Sequence, residues 1–341
     1  MRALGSRAAD AEIEVIADPA ADDLLGEMPG VRVCTRGPRV GKPFAEWRMI
    51  ARAVREDAPF LVLTADGRHA AAVSLAAALA GRSPGHARLF VHRPLTEVRD
   101  ALCLSMAGTA RAHALAIAPT ETIAVSLRAG GWRWVACVPY PALGAAQPPE
   151  PVPFTHLLMA GAARRNKGLD LIAALAVRWA AERRSIPLLV QVSKKHAARH
   201  GRREAAMVAK LLSSGYRGLR ADETAPDRAE YLARFRGALV LAPYAREQFA
   251  GQVSGIVLDS LLQGTPVIAT RGTWTGAQVE RFGAGLTIAE RTPAALASAI
   301  DRVLSDWHAH AARACAAARV LAREHDPRHL LDLIAGTSRA S

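Results

Sequence analysis

Short β-rich runs alternate with Ala-rich helical stretches almost from one end of this 341-residue chain to the other. That alternation restricts the fold class to parallel sheets with helices on both faces, because a parallel strand pair needs a crossover and a helix is the usual one. In the first half the runs at 12–16, 31–34, 60–64, 88–92, 114–118 and 135–138 read as strands. In the second half those at 156–159, 188–192, 238–241, 267–269 and 286–288 do so. Between the halves lies 139–153, with five prolines after Tyr140, which is a linker composition. The expected organisation is therefore an α/β domain over 1–145 and a second over 154–341, with a cleft between the carboxyl ends of their strands, where open α/β sheets bind ligands.

Composition sets the function classes. Half of the residues are hydrophobic, yet no uncharged apolar run reaches the roughly 18 residues of a membrane span. The first ten residues lack the apolar stretch of a signal peptide, so a cytoplasmic protein is expected. Cys34, Cys103, Cys137 and Cys315 are scattered without a CxxC pair, the usage of reduced thiols rather than of a zinc site or a disulfide framework. The 44 Lys plus Arg against 31 Asp plus Glu give a net charge of +13, which fits attraction to phosphate or the codon usage of a GC-rich genome. The densest basic cluster, Lys194, Lys195, Arg199, Arg202 and Arg203 with His196 and His200, contains no aromatic, and aromatics are 5% of the chain. Readers of single-stranded nucleic acid need stacking platforms, so a nucleic-acid partner is not expected.

Two stretches carry chemistry. The run 254–270, SGIVLDSLLQGTPVIAT, places Ser254 as N-cap of a helix that stops at Gly264 and Pro266 and feeds a buried strand. The free amides of Ser254, Gly255 and Ile256 at such a start favour an anion. Asp259 lies four residues after Gly255 on the same face, one turn deeper, where a carboxylate can accept from both hydroxyls of a ribose whose diphosphate sits at the tip. A solvent-exposed Asp on a capped amphipathic helix is the plainer reading. The second stretch, LLMAGAARRNKGLDLIAAL over 157–175, runs from a strand ending at Gly161 through Arg164, Arg165 and Lys167 to a helix starting at Gly168. Cations there offer charge-assisted bonds to phosphate, and Gly168 lets a ligand approach the backbone beside Lys167.

Together these stretches resemble the C-terminal domain of a GT-B glycosyltransferase, and most resemble glycosyltransferase family four (glycosyl transferases group 1). The glycine, Lys167 and Gly168 keep the family spacing, and Asp259 falls on the second Glu of the family's Glu, seven residues, Glu motif. IAPTETIAVSLRAGGWRWVACVPYPAL, from 116 on, is similar to the end of the family's first domain. The resemblance implies two doubly wound, Rossmann-like domains, with the last helix crossing back onto the first. It implies transfer of a sugar from a nucleoside diphosphate sugar to a glycan or lipid-linked acceptor, with retention and without metal or cofactor; the basic composition, where codon usage does not account for it, adds an expected peripheral contact at the inner membrane face.

In this resemblance Gly161, Arg164, Arg165, Lys167, Tyr244, Ser254, Gly255, Ile256 and Asp259 hold the donor, while His92 and Lys167 serve the chemistry. Arg246, Thr273 and Trp274 are further liners by position. Three departures stand out. Ala162 replaces the Arg that directly follows the glycine, Gly251 replaces the first Glu with Glu247 off register, and the family's opening strand and glycine-rich loop are not recognisable. Gly251 and the unrecognised opening strand favour, as one alternative, a non-catalytic binding module; SGIVLD, a distant echo of the Ser-Gly-Gly, Gln-Glu-Glu segment of nucleotide-sugar 2-epimerases on the same fold, is the ground for the other. Asp66 with Gly67 reads as a turn at a strand end, and Glu121 as part of a helix cap.

Overall fold

The structure of the chain is a computed structural model that describes residues 13–16, 31–34, 43–145, 147–192, 201–224 and 226–335. Its contacts divide it into two compact units, Met1–Leu143 with His325–Ser341, and Gly144–Glu324. The segment that begins at His325 thus belongs with the first unit.

The first unit has a two-stranded parallel sheet, β1 (Ile13–Ile16) with β2 (Val31–Cys34), and a four-stranded one. In the larger sheet β3 (Phe60–Val62), β4 (Ala87–Phe90), β5 (Leu115–Ala118) and β6 (Val135–Cys137) lie side by side in chain order, all parallel. Each pair is joined through a helix: Gly67–Leu79, Val98–Ala107 and Glu121–Ala129. Alternate residues of β4 face opposite ways, as the pleat requires. Leu89 joins a core with Ile50, Val73 and Ile123, whereas Phe90 joins Ile117, Val138 and Leu330. Leu330 sits on the Arg328–Ala335 helix, so this last helix covers the second face of the sheet. The turn into it is tied down where Ala142 donates to the His325 carbonyl at 2.9 Å and the His325 ring meets the Tyr140 carbonyl at 2.7 Å.

The second unit is one six-stranded parallel sheet built from β7 (His156–Met159), β8 (Leu188–Gln191), β9 (Leu219–Asp222), β10 (Ala238–Ala242), β11 (Val267–Thr270) and β12 (Gly285–Ile288). Their spatial order is β12-β11-β10-β7-β8-β9. The chain works outward from β7 to one edge, returns to β10, and works outward to the other. The reversal between β7 and β10 is the switch point at which doubly wound sheets leave a crevice for a ligand. β10 and β11 are buried at every position, the pattern of strands covered on both faces. In the Leu169–Ala181 helix, Leu169, Ile172, Leu175, Ala176 and Trp179 recur at helical spacing and fill the core below the sheet.

β9 is the strand missing from the sequence reading. It is an edge strand, LRAD, with Arg220 exposed and Asp222 paired to Arg234, so it shows neither a continuous apolar run nor a clean alternation.

Candidate functional site

The loop leaving β7 and the segment leaving β10 meet at the switch point of the second unit. Gly161 adopts φ +74°, and its amide donates to Gln191 Oε1 at the end of β8, 2.7 Å away. A Cβ on Gly161 would stand 2.2 Å from Ile256 Cδ1, so the tip of the Gly255–Leu262 helix packs directly against this loop. The two chemistry-bearing stretches of the sequence are thereby brought together.

One short helical turn later, Gly168 takes φ +94°, and a Cβ there would lie 2.4 Å from Cγ and 3.0 Å from the carbonyl oxygen of Pro243. That glycine is required by conformation and by contact alike. Further bonds stitch the loop to the segment after β10. Ala245 donates to the Asn166 carbonyl at 2.8 Å, and Asn166 Nδ2 donates to Gln248 Oε1 at 2.6 Å. Arg291, unforeseen from sequence, reaches in with its Nε on the Pro243 carbonyl at 2.9 Å and an Nη2 on Asp170 at 3.4 Å.

Arg165 is exposed, while Arg164 and Lys167 are half-buried. Burial, and then the charge of Arg164, push the Lys167 ammonium below its ordinary pKa. Its Nζ lies 5.8 Å from the centroid of the Tyr244 ring, and no carboxylate pairs with it among the described residues. Tyr244 is itself buried, which raises its pKa, a rise that its bond with Ser254 opposes. Its hydroxyl is 3.3 Å from Ser254 Oγ. Ser254 caps the helix by accepting from the Val257 amide at 3.4 Å. Gly255 is exposed, with open space where its Cβ would be. The first amides of this helix therefore face outward beside a half-buried cationic loop, an arrangement suited to an anion.

Asp259 is not the free carboxylate that the sequence suggests. Its Oδ2 accepts from the Tyr231 hydroxyl at 3.0 Å and from Arg228 Nη1 at 3.3 Å, with Arg228 Nη2 3.5 Å from Oδ1. The Arg228 guanidinium also lies 5.4 Å from the Tyr231 ring centroid. Burial first, and the Asp259 carboxylate second, push the Tyr231 phenol far above its ordinary pKa, so it stays a donor. Arg228 and Tyr231 share one short helix whose start is fixed by a capping box between Asp227 and Glu230. The signal available in sequence was that Asp-x-x-Glu box with a basic and an aromatic residue three apart.

Other expected liners have different occupations. Arg246 braces two loops, with Nε on the Arg271 carbonyl at 3.0 Å and Nη2 on the Ala289 carbonyl at 3.3 Å. Thr273 caps the Trp274–Phe282 helix and donates to the Thr270 carbonyl at 2.6 Å. Gly251 is buried, and Glu247 is exposed on the Arg246–Phe249 turn.

In the first unit, His92 follows β4 and its Nε2 donates to the Leu63 carbonyl. Its ring lies 4.9 Å from Phe90 and 5.5 Å from Tyr140, centroid to centroid. Burial lowers its pKa, with the backbone bond opposing. Asp66 is the N-cap of the Gly67–Leu79 helix and forms a capping box with His69. Thr120, not Glu121, caps the Glu121–Ala129 helix; Glu121 lies in its first turn and pairs with Arg128 at 2.6 Å, since the threonine side chain is the one that reaches the Ile123 amide. Of the basic cluster, Lys194, Lys195, His196, Arg199 and His200 fall outside the described residues, and Arg202 and Arg203 open the Arg202–Leu212 helix. No helix among the described residues is long and apolar enough to cross a membrane.

No family model and no curated protein sequence matches this chain. Solved structures do. HepE of Anabaena in complex with UDP and glucose superposes with a TM-score of 0.68 at 16% identity, covering 98% of this chain and 93% of its own. Sucrose-phosphate synthase of Thermosynechococcus elongatus gives a TM-score of 0.68 at 17% identity, over 99% and 92%. A glycosyltransferase of Rickettsia africae gives 0.63 at 12% identity, over 98% and 100%. At these identities the likeness establishes the fold, two parallel-sheet α/β units of the GT-B class.

Proposed function

We propose that this protein transfers a sugar from a nucleoside diphosphate sugar to a glycan or lipid-linked acceptor, with retention and without a metal ion. The observation that carries the reading is the contact of Gly161 with Ile256, which sets the Lys167 loop against an outward-facing helix start at the switch point of the sheet. HepE, which shares this fold, was solved with UDP and with UDP-glucose.

In this reading Lys167, with Arg164 or Arg165, neutralises charge that grows on the departing diphosphate, and the amides of Ser254, Gly255 and Ile256 donate to it. The partly desolvated ammonium strengthens each such bond. Tyr231 and Arg228 hold the Asp259 carboxylate in one orientation, and its remaining acceptor positions take the ribose hydroxyls. His92, with Nε2 committed to Leu63, offers a neutral ring for a polar contact with the transferred sugar.

Calorimetry with UDP and GDP tests the binding step. Saturable binding of one of them, weakened in Lys167→Ala, is expected; absence of binding to both removes the reading. Mass spectrometry of a UDP-sugar or GDP-sugar incubated with and without acceptor then tests the chemistry. Gly251, in the place of a family carboxylate, favours one second reading, a module that binds the nucleotide sugar without turning it over. Binding with neither transfer nor hydrolysis would establish it, and an isomerised donor would point to an epimerase.

A further inference from the structure

The second unit has a cavity at the end of its sheet opposite to the candidate site. That site lies at the carboxyl ends of β7 and β10, whereas the cavity, of about 290 Å³, opens at the amino ends of β10 and β11. β10 is five residues long, which puts roughly 15 Å of strand between the two.

The walls of the cavity are fixed. The turns into β10 and β11 run through Gly237 at φ +71° and Gly264 at φ +70°, and Thr265 Oγ1 ties them together by donating to the Phe235 carbonyl at 2.8 Å. The proline-rich segment 147–152 lies directly on the second turn, since a Cβ on Gly264 would stand 2.9 Å from Cβ and Cγ of Pro149. Trp307, at the start of the Trp307–Glu324 helix, closes another side. Its Nε1 donates to the Val152 carbonyl at 2.8 Å, and Phe154 meets it edge-on at a centroid distance of 5.3 Å, so the half-buried indole is held in one orientation.

Four planar polar side chains converge on this cavity, Gln147, Glu150, Arg236 and Gln263. None of them has a hydrogen-bond or ion-pair partner among the described residues. Arg236 and Glu150 are exposed and of opposite charge, yet they do not pair with each other. The lining is therefore neutral as a whole, with donors and acceptors both free, beside an aromatic surface. An anion would meet Glu150 there and a cation would meet Arg236, so neither is favoured.

We infer that this cavity binds a neutral sugar ring. A pyranose carries hydroxyls that both donate and accept around its rim, which suits amides, a carboxylate and a guanidinium set around one hollow. Its C–H face is apolar and lies flat on an indole. The volume is at the bottom of the roughly 300–1,000 Å³ range of ligand clefts, room for one ring or the end of a glycan rather than for a nucleotide sugar. The cavity shares no residue with the candidate donor site, so either assignment can fail without the other.

Saturation-transfer NMR on the full chain is the test, with the methyl α- and β-glycosides of glucose, galactose and mannose beside anionic glucuronic acid and zwitterionic alanine. Transfer to the ring C–H protons of at least one neutral glycoside is expected, and none to glucuronic acid or alanine. Glu150→Ala and Arg236→Ala should each weaken binding at least about tenfold, since each removes a hydrogen bond to a charged group. Both positions are exposed, so the thermal midpoint should not move, which separates lost binding from lost fold. Lys167→Ala, at the other end of the sheet, should leave the glycoside signal unchanged. Absence of transfer to every neutral glycoside overturns the inference, as does equal transfer to glucuronic acid or alanine, which would make charge the feature recognised. Glycoside binding that Lys167→Ala abolishes and that Glu150→Ala and Arg236→Ala leave intact also overturns it, because the sugar would then sit in the candidate donor site.

Discussion

Both units gather polar groups at the carboxyl ends of a parallel sheet, and they settle them in opposite ways. In the first unit Asp100 and Asp66 are answered from within. Asp100, its side chain 4% exposed, accepts from Arg93 Nη1 at 2.7 Å and from the Gly67 amide at 3.0 Å. Asp66 accepts from the amides of Arg68 and His69, and although burial pushes its pKa up, the His69 amide and the neighbouring cations bring it below the ordinary value. In the second unit Lys167 is desolvated beside a second cation, while the nearby carboxylates are committed elsewhere, Asp170 to Arg291 and Asp259 to Arg228 and Tyr231. A cluster that satisfies itself is explained by stability. A half-buried cation without a carboxylate partner among the described residues costs stability, which a bound anion would offset.

The contrast breaks most visibly at Arg93. Arg93→Ala strands a buried carboxylate with one backbone donor, and about 3 kcal/mol of unfolding free energy should be lost. Urea titration measures it. A loss below about 1 kcal/mol would mean that Asp100 does not depend on its partner, and the first unit's cluster would then need another explanation.

Lys167→Ala should do the reverse. Nucleotide affinity is expected to fall by about 1.5 to 3 kcal/mol, one charge-assisted bond. Stability should stay level or rise, because a desolvated cation has been removed. Calorimetry and thermal melts on the same sample read both. Unchanged affinity with lower stability would make Lys167 a structural residue like Arg93 and erase the difference between the units.

How far the sequence disclosed this difference follows from the range of the contacts. The strands β7, β10 and β11 are apolar runs buried on both sides, so local pattern is enough to place them. Gly161, Lys167, Gly168 and the Ser254 cap are legible for the same reason, since each belongs to a turn or a helix start with a local residue requirement. Arg228 and Tyr231 are not, because they reach Asp259 across 31 and 28 residues of chain, and Arg291 reaches Pro243 across 48. Their role depends on the order in which strands assemble. The edge strand β9 escapes because half-exposed positions impose no apolar pattern.

Tyr231→Phe sharpens the second unit's side of the comparison at a smaller scale. It removes one hydrogen bond to a carboxylate without changing shape, so nucleotide affinity should fall by about 1 kcal/mol. The discriminating control is a 2′-deoxy nucleoside diphosphate. If Asp259 receives the ribose, the variant and the unaltered protein should differ less with the deoxy ligand. An equal loss with both ligands would place the effect in the loop rather than at the sugar.

The smallest effect concerns protons. Burial lowers the pKa of His92 in the first unit and of His156 in the second, and each Nε2 is bonded to a backbone carbonyl, Leu63 and Arg234 respectively. A histidine whose folded pKa is depressed leaves stability intact above its ordinary value of 6.5. As pH falls from there towards the lowered folded pKa, the unfolded chain takes the proton first, and stability declines across that window. Below the folded pKa the loss is complete and levels off. His92→Gln keeps a donor for the Leu63 carbonyl and removes the titration. Amide exchange in β4 and β5 should then lose part of its acid sensitivity between neutral pH and that lower limit, while β7 and β10 keep theirs. His156→Gln should show the opposite pattern. If either substitution flattened both units equally, the two sheets would respond to acid as one cooperative body, and the contrast between them would hold for chemistry and not for unfolding.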